Sequence, residues 1–411
     1  MSTAKNSVTK KLTVIALAIF TLTVVLSYLF VFRESAEHQT QPALPRVAVR
    51  YERLSPSQDG RKLVIRKRVL GLPGKKSRDE LLLVAFRQAD GDWREETSRI
   101  VSVSPAEVFL SPVLDWHPSG DRLLYYTQNL KTQRAILYEY ATDTAQIRKV
   151  YTFEKMALHF AQYAPNNHIY LQLADEIRDV TAMPQKKWKL PEFKPHPPLQ
   201  EGELVMASLN DSELPVVIGI GPDSLVAVRT LPLSMALAPR VAFFKLGARQ
   251  TLWEDKCAGA IWPRPRKQRW AYIQQLVRGR AQIVSLDLNY FSAKAPKINR
   301  YRQSQSYFLP HAEDMYDLDL SPDGKSIAGS YQSEGKYYLY HQSSDSAQQG
   351  HSVLLPSVED VTEVHWLDND RIGFVITKAE PARNGDATLR QIMQTYSLKE
   401  KLFRVVDLPI D

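Results

Sequence analysis

The chain holds a single cysteine, Cys257, in 411 residues. No intrachain disulfide can form, and cysteine-based metal centres are excluded. A catalytic thiol needs a neighbouring base, but Cys257 follows Glu254, Asp255 and Lys256 with no histidine close by. It reads as a small buried hydrophobe. The G-x-S-x-G nucleophile elbow, the G-x-x-x-x-G-K-[S/T] phosphate loop and the H-E-x-x-H zinc helix are also missing. The nearest Gly–Ser stretch, Gly221-Pro222-Asp223-Ser224, reads as a turn. A serine-hydrolase domain would need about 200 further residues of alternating strand and helix, for which the chain has no room. No catalytic residue, cofactor or metal is therefore assigned.

Charge is present but mild. The formal net charge is +8, and Lys5, Lys10 and Lys11 supply three of those charges before residue 33, leaving 8 − 3 = +5 for the rest. Such a surplus suits anionic headgroups or an acidic partner, and is no evidence for nucleic-acid binding. With 44% hydrophobic residues the chain can bury a sizeable core. Its nineteen Tyr, fourteen Phe and seven Trp suit sheet-rich structure.

Leu12 to Phe32 carries no charge. As a helix it would be about 31 Å long, matching a hydrocarbon core of about 30 Å. It exceeds the apolar region of a signal peptide and lacks an A-x-A cleavage pattern, so it is expected to be an uncleaved anchor. Lys5, Lys10 and Lys11 precede it, while Arg33 is offset by Glu34 and Glu37, which places the N-terminus in the cytoplasm. The expected organisation is a short tail over 1–11, a transmembrane anchor over 12–32, a polar tether over 33–44 and one domain over 45–411. In a bacterium this is a single-pass inner-membrane protein with a periplasmic domain. A eukaryotic type II protein fits less well, because a large lumenal domain without a disulfide is unusual.

The domain is repetitive. In Asp317 to His341, DLDLSPDGKSIAGSYQSEGKYYLYH, a polar–apolar alternation leads into Ser321-Pro322-Asp323-Gly324. Pro presets φ, Asp bonds its following backbone and Gly accepts positive φ, so the tetrapeptide is a turn between strands. Related units begin near Tyr51, Leu114, His159, Val217, Gly259, Leu318 and Val364. Aligned on Pro56, Pro118, Pro165, Pro222, Pro263, Pro322 and Asp368, they lie 41 to 62 residues apart. A four-stranded propeller blade needs about 40–50. Arg46-VAVRY and Leu402-FRVVDLPI, at opposite ends of the array, are expected to share one blade and close the ring.

The units at 321–328, 117–124 and 55–63 resemble the repeat of TolB-type periplasmic propellers, which also occurs in propeller domains of some prolyl-peptidases. The resemblance implies an all-β fold, a β-propeller of seven blades with six or eight left open, behind the transmembrane helix. It does not imply an activity, because the repeat hosts many.

Two kinds of polar cluster bear on chemistry. Asp317 and Asp319 fall on one face of a strand and so could pair as carboxylates or bind a cation. They read more simply as turn-satisfying groups, and the histidines as solvated turn residues. Convergence of two or more histidines with Asp317 or Asp319 would favour a propeller enzyme of lyase or glycosidase type. Basic stretches are the other feature: Arg61 to Arg68, Lys186-Lys187-Trp188, and Arg264, Arg266, Lys267, Arg269 with Trp270. Arginine with aromatics suits interfaces. Lys186, Lys187 and Trp188 lie in the proline-rich stretch 180–202, expected to be a long loop. The favoured function is a non-catalytic protein–protein interaction, sensory or scaffold module of the cell envelope. Its partner would be an envelope or inner-membrane protein, with no nucleic acid bound.

Overall fold

The computed structural model describes residues 49–408 except 70–77, 90–91, 104–106, 109–113, 130, 155–157, 174, 192–213, 232–239, 249–251, 257–258, 262–269, 278–279, 288–305, 309–314, 344–349 and 382–386. The span 12–32 lies outside these. Among the described residues no helix is long and apolar enough to cross a membrane. One compact unit spans Val47–Pro381 and Leu389–Asp411. A second, Met1–Arg46 with Ala382–Thr388, falls almost wholly outside the described residues.

The described residues form seven antiparallel sheets, six of four strands and one of five. Their first strands are Val49–Pro56 in sheet 1, Leu114–Trp116 in sheet 2, Leu158–Tyr163 in sheet 3, Leu214–Ile220 in sheet 4, Gly259–Ile261 in sheet 5, Met315–Leu320 in sheet 6 and Asp360–Trp366 in sheet 7. Each of the seven sequence units lands on one of these strands. Within each four-stranded sheet the strands follow in chain order, so every sheet is a meander. Sheet 2 gains a fifth strand because Glu107–Val108 pairs the same neighbour as Leu114–Trp116.

The turn after the first strand has one construction in three of the sheets. In sheets 1, 2 and 6 the N–H groups of Ser57, His117 and Ser321 donate to the carbonyls of Lys62, Arg122 and Ser326. Gly60, Gly120 and Gly324 then close back on the turn's first residue with φ of 67°, 73° and 70°, values an L side chain rarely adopts. In the S-Q-D-G and S-P-D-G versions the hydroxyls of Ser57 and Ser321 donate to Asp59 and Asp323 at 2.6 Å. Four residues thus satisfy their own polar groups, which explains why this tetrapeptide recurs.

Among the described side chains, five joints between sheets are seen to pack face to face. Val64, Leu81 and Leu83 of sheet 1 share a cluster with Trp116, Leu123 and Tyr125 of sheet 2. Leu124 and Leu137 of sheet 2 meet Ala161 and Leu171 of sheet 3. Phe160 and Tyr170 of sheet 3 meet Val226 and Phe244 of sheet 4, and Ala328 and Leu339 of sheet 6 meet Trp366 and Phe374 of sheet 7. The array then meets its own start: Leu54, Leu63 and Phe86 of sheet 1 cluster with Leu367, Val375 and Met393 of sheet 7. Twisted four-stranded meanders stacked this way are the blades of a β-propeller.

The expected shared blade is corrected. Val49–Pro56 pairs only within sheet 1, and Leu402–Val405 pairs with its hairpin partner, Gln394 to Ser397. The two ends of the array meet by packing rather than by exchanging a strand.

Candidate functional site

The first strands carry Asp317 and Asp319, which the sequence singled out, and the structure gives them and residues like them in other sheets a shared task. Asp115 Oδ2 accepts the N–H of Tyr163 at 2.8 Å, joining sheet 2 to sheet 3. Gln162 Oε1 accepts the N–H of Ile220 at 3.1 Å, joining sheet 3 to sheet 4. Asp319 Oδ2 accepts the N–H of Trp366 at 3.0 Å, joining sheet 6 to sheet 7. Asp115, Gln162 and Asp319 are equivalent: each stands two residues before the head of its turn. First strands are sheet edges with unpaired N–H groups. A side-chain oxygen from the preceding sheet fills that need.

Asp317 and Glu363 repeat the device at a bulge. Asp317 Oδ2 accepts the N–H of Glu363 at 2.5 Å, and Glu363 Oε2 accepts the N–H of Leu54 at 3.1 Å. Asp317, Glu363 and Arg53 all have positive φ, at 50°, 58° and 57°, where the ladder slips in sheets 6, 7 and 1. At each bulge an N–H of the left-handed residue (Glu363) or of the residue after it (Leu54) leaves the ladder for the carboxylate behind it.

His365 sits between these struts. Its Nδ1 lies 3.4 Å from Asp319 Oδ2 and its Nε2 lies 3.6 Å from Glu363 Oε2. Burial alone would lower its pKa, but the bonds to Asp319 and Glu363 outweigh that and raise it to about 9. Burial likewise pushes Glu363 up, yet His365 and the backbone N–H groups of Arg53 and Leu54 hold it below the usual carboxylate range. Of the histidines, His365 alone meets Asp319 among the described residues. No group of three or more histidine, cysteine or acidic side chains there is arranged to hold a metal.

A second cluster looks like a nucleophile but is not arranged as one. His117 Nδ1 lies 2.5 Å from Ser119 Oγ, and Ser119 Oγ donates to Asp121. Arg122 approaches His117 Nε2 at 2.7 Å. Arginine only donates, so Nε2 accepts from Arg122, and the Ser119 N–H donates to Nδ1 at 3.2 Å. Burial first, and Arg122 second, lower the His117 pKa. The Ser119 hydroxyl gives its hydrogen to Asp121 rather than to the ring. Nearby, Glu139 accepts from Arg148 at 2.9 Å and from the Tyr163 hydroxyl, fastening sheet 2 to sheet 3.

The basic stretches separate. Arg264, Arg266, Lys267 and Arg269 lie outside the described residues, and Trp270 opens the strand Trp270–Val277. Lys186, Lys187 and Trp188 are not in a loop: Lys186–Lys189 is the outermost strand of sheet 3. Lys186 and Lys187 are exposed, while Trp188 is half-buried, 6.1 Å from the Tyr170 ring and against Gly247 of sheet 4. Exposed lysines on an outer strand also discourage unwanted edge pairing. The run from Arg61 to Arg68 is no surface patch. Arg66 bonds Asp79 at 2.6 Å and Lys67 pairs with Glu80 at 3.6 Å, both pairs buried. Strand alternation sends neighbours 66 and 67 to opposite faces, which a reading by charge alone passes over.

No family model matches the chain, and no curated protein matches it. Solved structures do. One of two prolyl endopeptidases studied for inter-domain dynamics superposes with a TM-score of 0.55 at 12% identity, covering 89% of this chain. This chain spans 50% of that protein's length. The β-propeller domain of Cps50 (Swd1) from Myceliophteria thermophila gives a TM-score of 0.48 at 11% identity, over 90% of this chain and 100% of that one. TolB from Acinetobacter baumannii gives 0.40 at 10% identity, over 75% and 79%. These are likenesses of fold.

Proposed function

We propose that this chain is a membrane-tethered, seven-bladed β-propeller that serves the cell envelope as a non-catalytic interaction module. The observation that carries this reading is the commitment of Asp115, Gln162, Asp317, Asp319 and Glu363 to backbone N–H groups of the next sheet. A carboxylate bound to a buried backbone donor cannot leave it for a substrate without stranding that donor. The residues that a catalytic reading would recruit hold the ring together instead. Seven sheets, with sheet 7 packed on sheet 1, support seven blades in a closed ring.

The anchor over 12–32 and its lysine-flanked start put the propeller on the periplasmic side of a bacterial inner membrane. The partner is an envelope or inner-membrane protein. It docks on basic and aromatic residues: exposed Lys186 and Lys187 beside Trp188, and Arg264, Arg266, Lys267 and Arg269 beside Trp270.

Crosslinking in intact membranes followed by affinity capture tests this. Wild type should retain one envelope protein that is lost from the K186E/K187E or the R264E/R266E/K267E/R269E variant. Equal capture by all three chains would discard both surfaces. Turnover of an oligosaccharide by the purified chain, abolished in D319N, would overturn the non-catalytic reading.

A further inference from the structure

The histidines with described side chains divide by what their nitrogens do. His117 engages Ser119 and Arg122, His168 Nδ1 lies 2.6 Å from Asp179 Oδ2, and His365 sits between Asp319 and Glu363. His341 and His351 instead meet each other, with ring centroids 5.3 Å apart and planes inclined by 27°. Among the described residues neither ring is hydrogen-bonded.

Their placement is not incidental to the sheet. His341 and His351 are register partners on the adjacent antiparallel strands Lys336–Ser343 and His351–Leu355 of sheet 6. Directly opposed residues project from the same face, with Cβ atoms about 5 Å apart. Along that face Leu339, Val353 and Leu355 run into the core shared with sheet 7. Tyr396 of sheet 7 flanks the pair, its ring 6.4 Å from that of His341. His351 is exposed at the rim and His341 is half-buried beneath it. The result is an apolar floor, an aromatic wall and two imidazoles at an open mouth.

Packing alone does not call for histidine here. A Phe or Tyr pair would fill the same rim without desolvating ring nitrogens that have no partner among the described residues. The His341 nitrogens gain a purpose if they ligate. A neutral imidazole offers a ring nitrogen as a metal ligand. Imidazole nitrogen suits Cu²⁺ and Zn²⁺ and disfavours Mg²⁺ and Ca²⁺. The exposed His351 ring has a broad terminal torsion and can swing until both rings point at one ion, about 2.0–2.1 Å from each nitrogen.

We propose that His341 and His351 form a two-imidazole chelate for a borderline divalent cation, Cu²⁺ or Zn²⁺, with water completing the coordination shell. The site lies at the outer rim of the joint between sheets 6 and 7, where a bound ion is open to a ligand atom from a docked protein.

Titration of the purified full chain with Cu²⁺, read by electron paramagnetic resonance, tests the proposal, with Zn²⁺ measured in competition against a chromophoric chelator. Wild type should bind one equivalent of Cu²⁺ with superhyperfine coupling from two nitrogens. Affinity for both ions should fall at least about tenfold in H351N and in H341N. H168N, whose ring is already bonded to Asp179, should bind as wild type. An unchanged affinity in H351N would overturn the proposal, as would the lack of a two-nitrogen signal in wild type. Because His351 is exposed, H351N decides the matter even if H341N fails to fold.

Discussion

Glu363 Oε2 accepts the backbone N–H of Leu54 at 3.1 Å, across 309 residues of sequence and across the joint between sheets 7 and 1. The donor belongs to an edge strand that no other backbone reaches. A charge-assisted bond of this kind contributes about 1.5–3 kcal/mol. E363A is expected to lose about that much stability in urea unfolding, and E363Q, which keeps an acceptor, about half. Two variants as stable as wild type would show that the joint does not depend on this carboxylate.

The same joint gives a pH dependence with a definite sign. His365 has a folded pKa of about 9, raised from an unfolded value near 6.5. Its stabilising protonation is fully present below pH 6.5 and is lost as the pH rises toward 9. The urea midpoint of wild type should fall across that window. In H365Q the fall should be much smaller, and an identical slope in both chains would refute the assignment.

Gly60 and Gly335 share positive φ but not surroundings. A Cβ on Gly60 would meet the Leu367 carbonyl oxygen at 2.1 Å, whereas a Cβ on Gly335 would meet nothing within 4 Å. G335A should cost only the left-handed backbone, about 1 kcal/mol. G60A should cost about 1–3 kcal/mol beyond that, because a first-sheet turn must back away from the last sheet. Thermal melting of the pair separates the two terms.

Lys67 and Glu80 are both fully buried, at 3.6 Å. Arg78 and Arg99 approach Glu80 at 3.2 and 3.3 Å from more exposed positions. Desolvation lowers the Lys67 pKa against the pull of Glu80. K67M leaves Glu80 without its fully buried partner and should cost about 3–5 kcal/mol. The double variant K67M/E80L should recover most of that loss, since neither charge is then stranded. A double variant no better than K67M would show that the pair is not the source of the cost.

The turn at Ser321-Pro322-Asp323-Gly324 was legible because each residue type has its own backbone preference. The first strands of sheets 1, 2 and 6 were legible because that turn follows each of them. What Asp319 does was not: period-two alternation gives its face, but not the Trp366 N–H that arrives from 47 residues away. The outer strand Lys186–Lys189 was hidden for a related reason. Prolines flank it and three of its four residues are exposed, so it lacks the apolar alternation by which strands are read. Ser119 and His117 show the reverse hazard, since a nucleophile's composition is present there and only the bond from the Ser119 hydroxyl to Asp121 reveals that its proton is not aimed at the ring.

The two ends of the array meet through Leu54, Leu367, Arg371 and Glu363 rather than by trading a strand. Each four-stranded sheet is drawn from consecutive strands, so each can be finished as its residues leave the ribosome. Only the last joint must wait for the final sheet. A pulling force, or a partner wedged at that joint, would meet side-chain bonds and a greasy seam where a shared strand would have offered a ladder. The two ends are thus fastened like a clasp, and undoing it leaves sheets 1 and 7 each intact and ready to meet again.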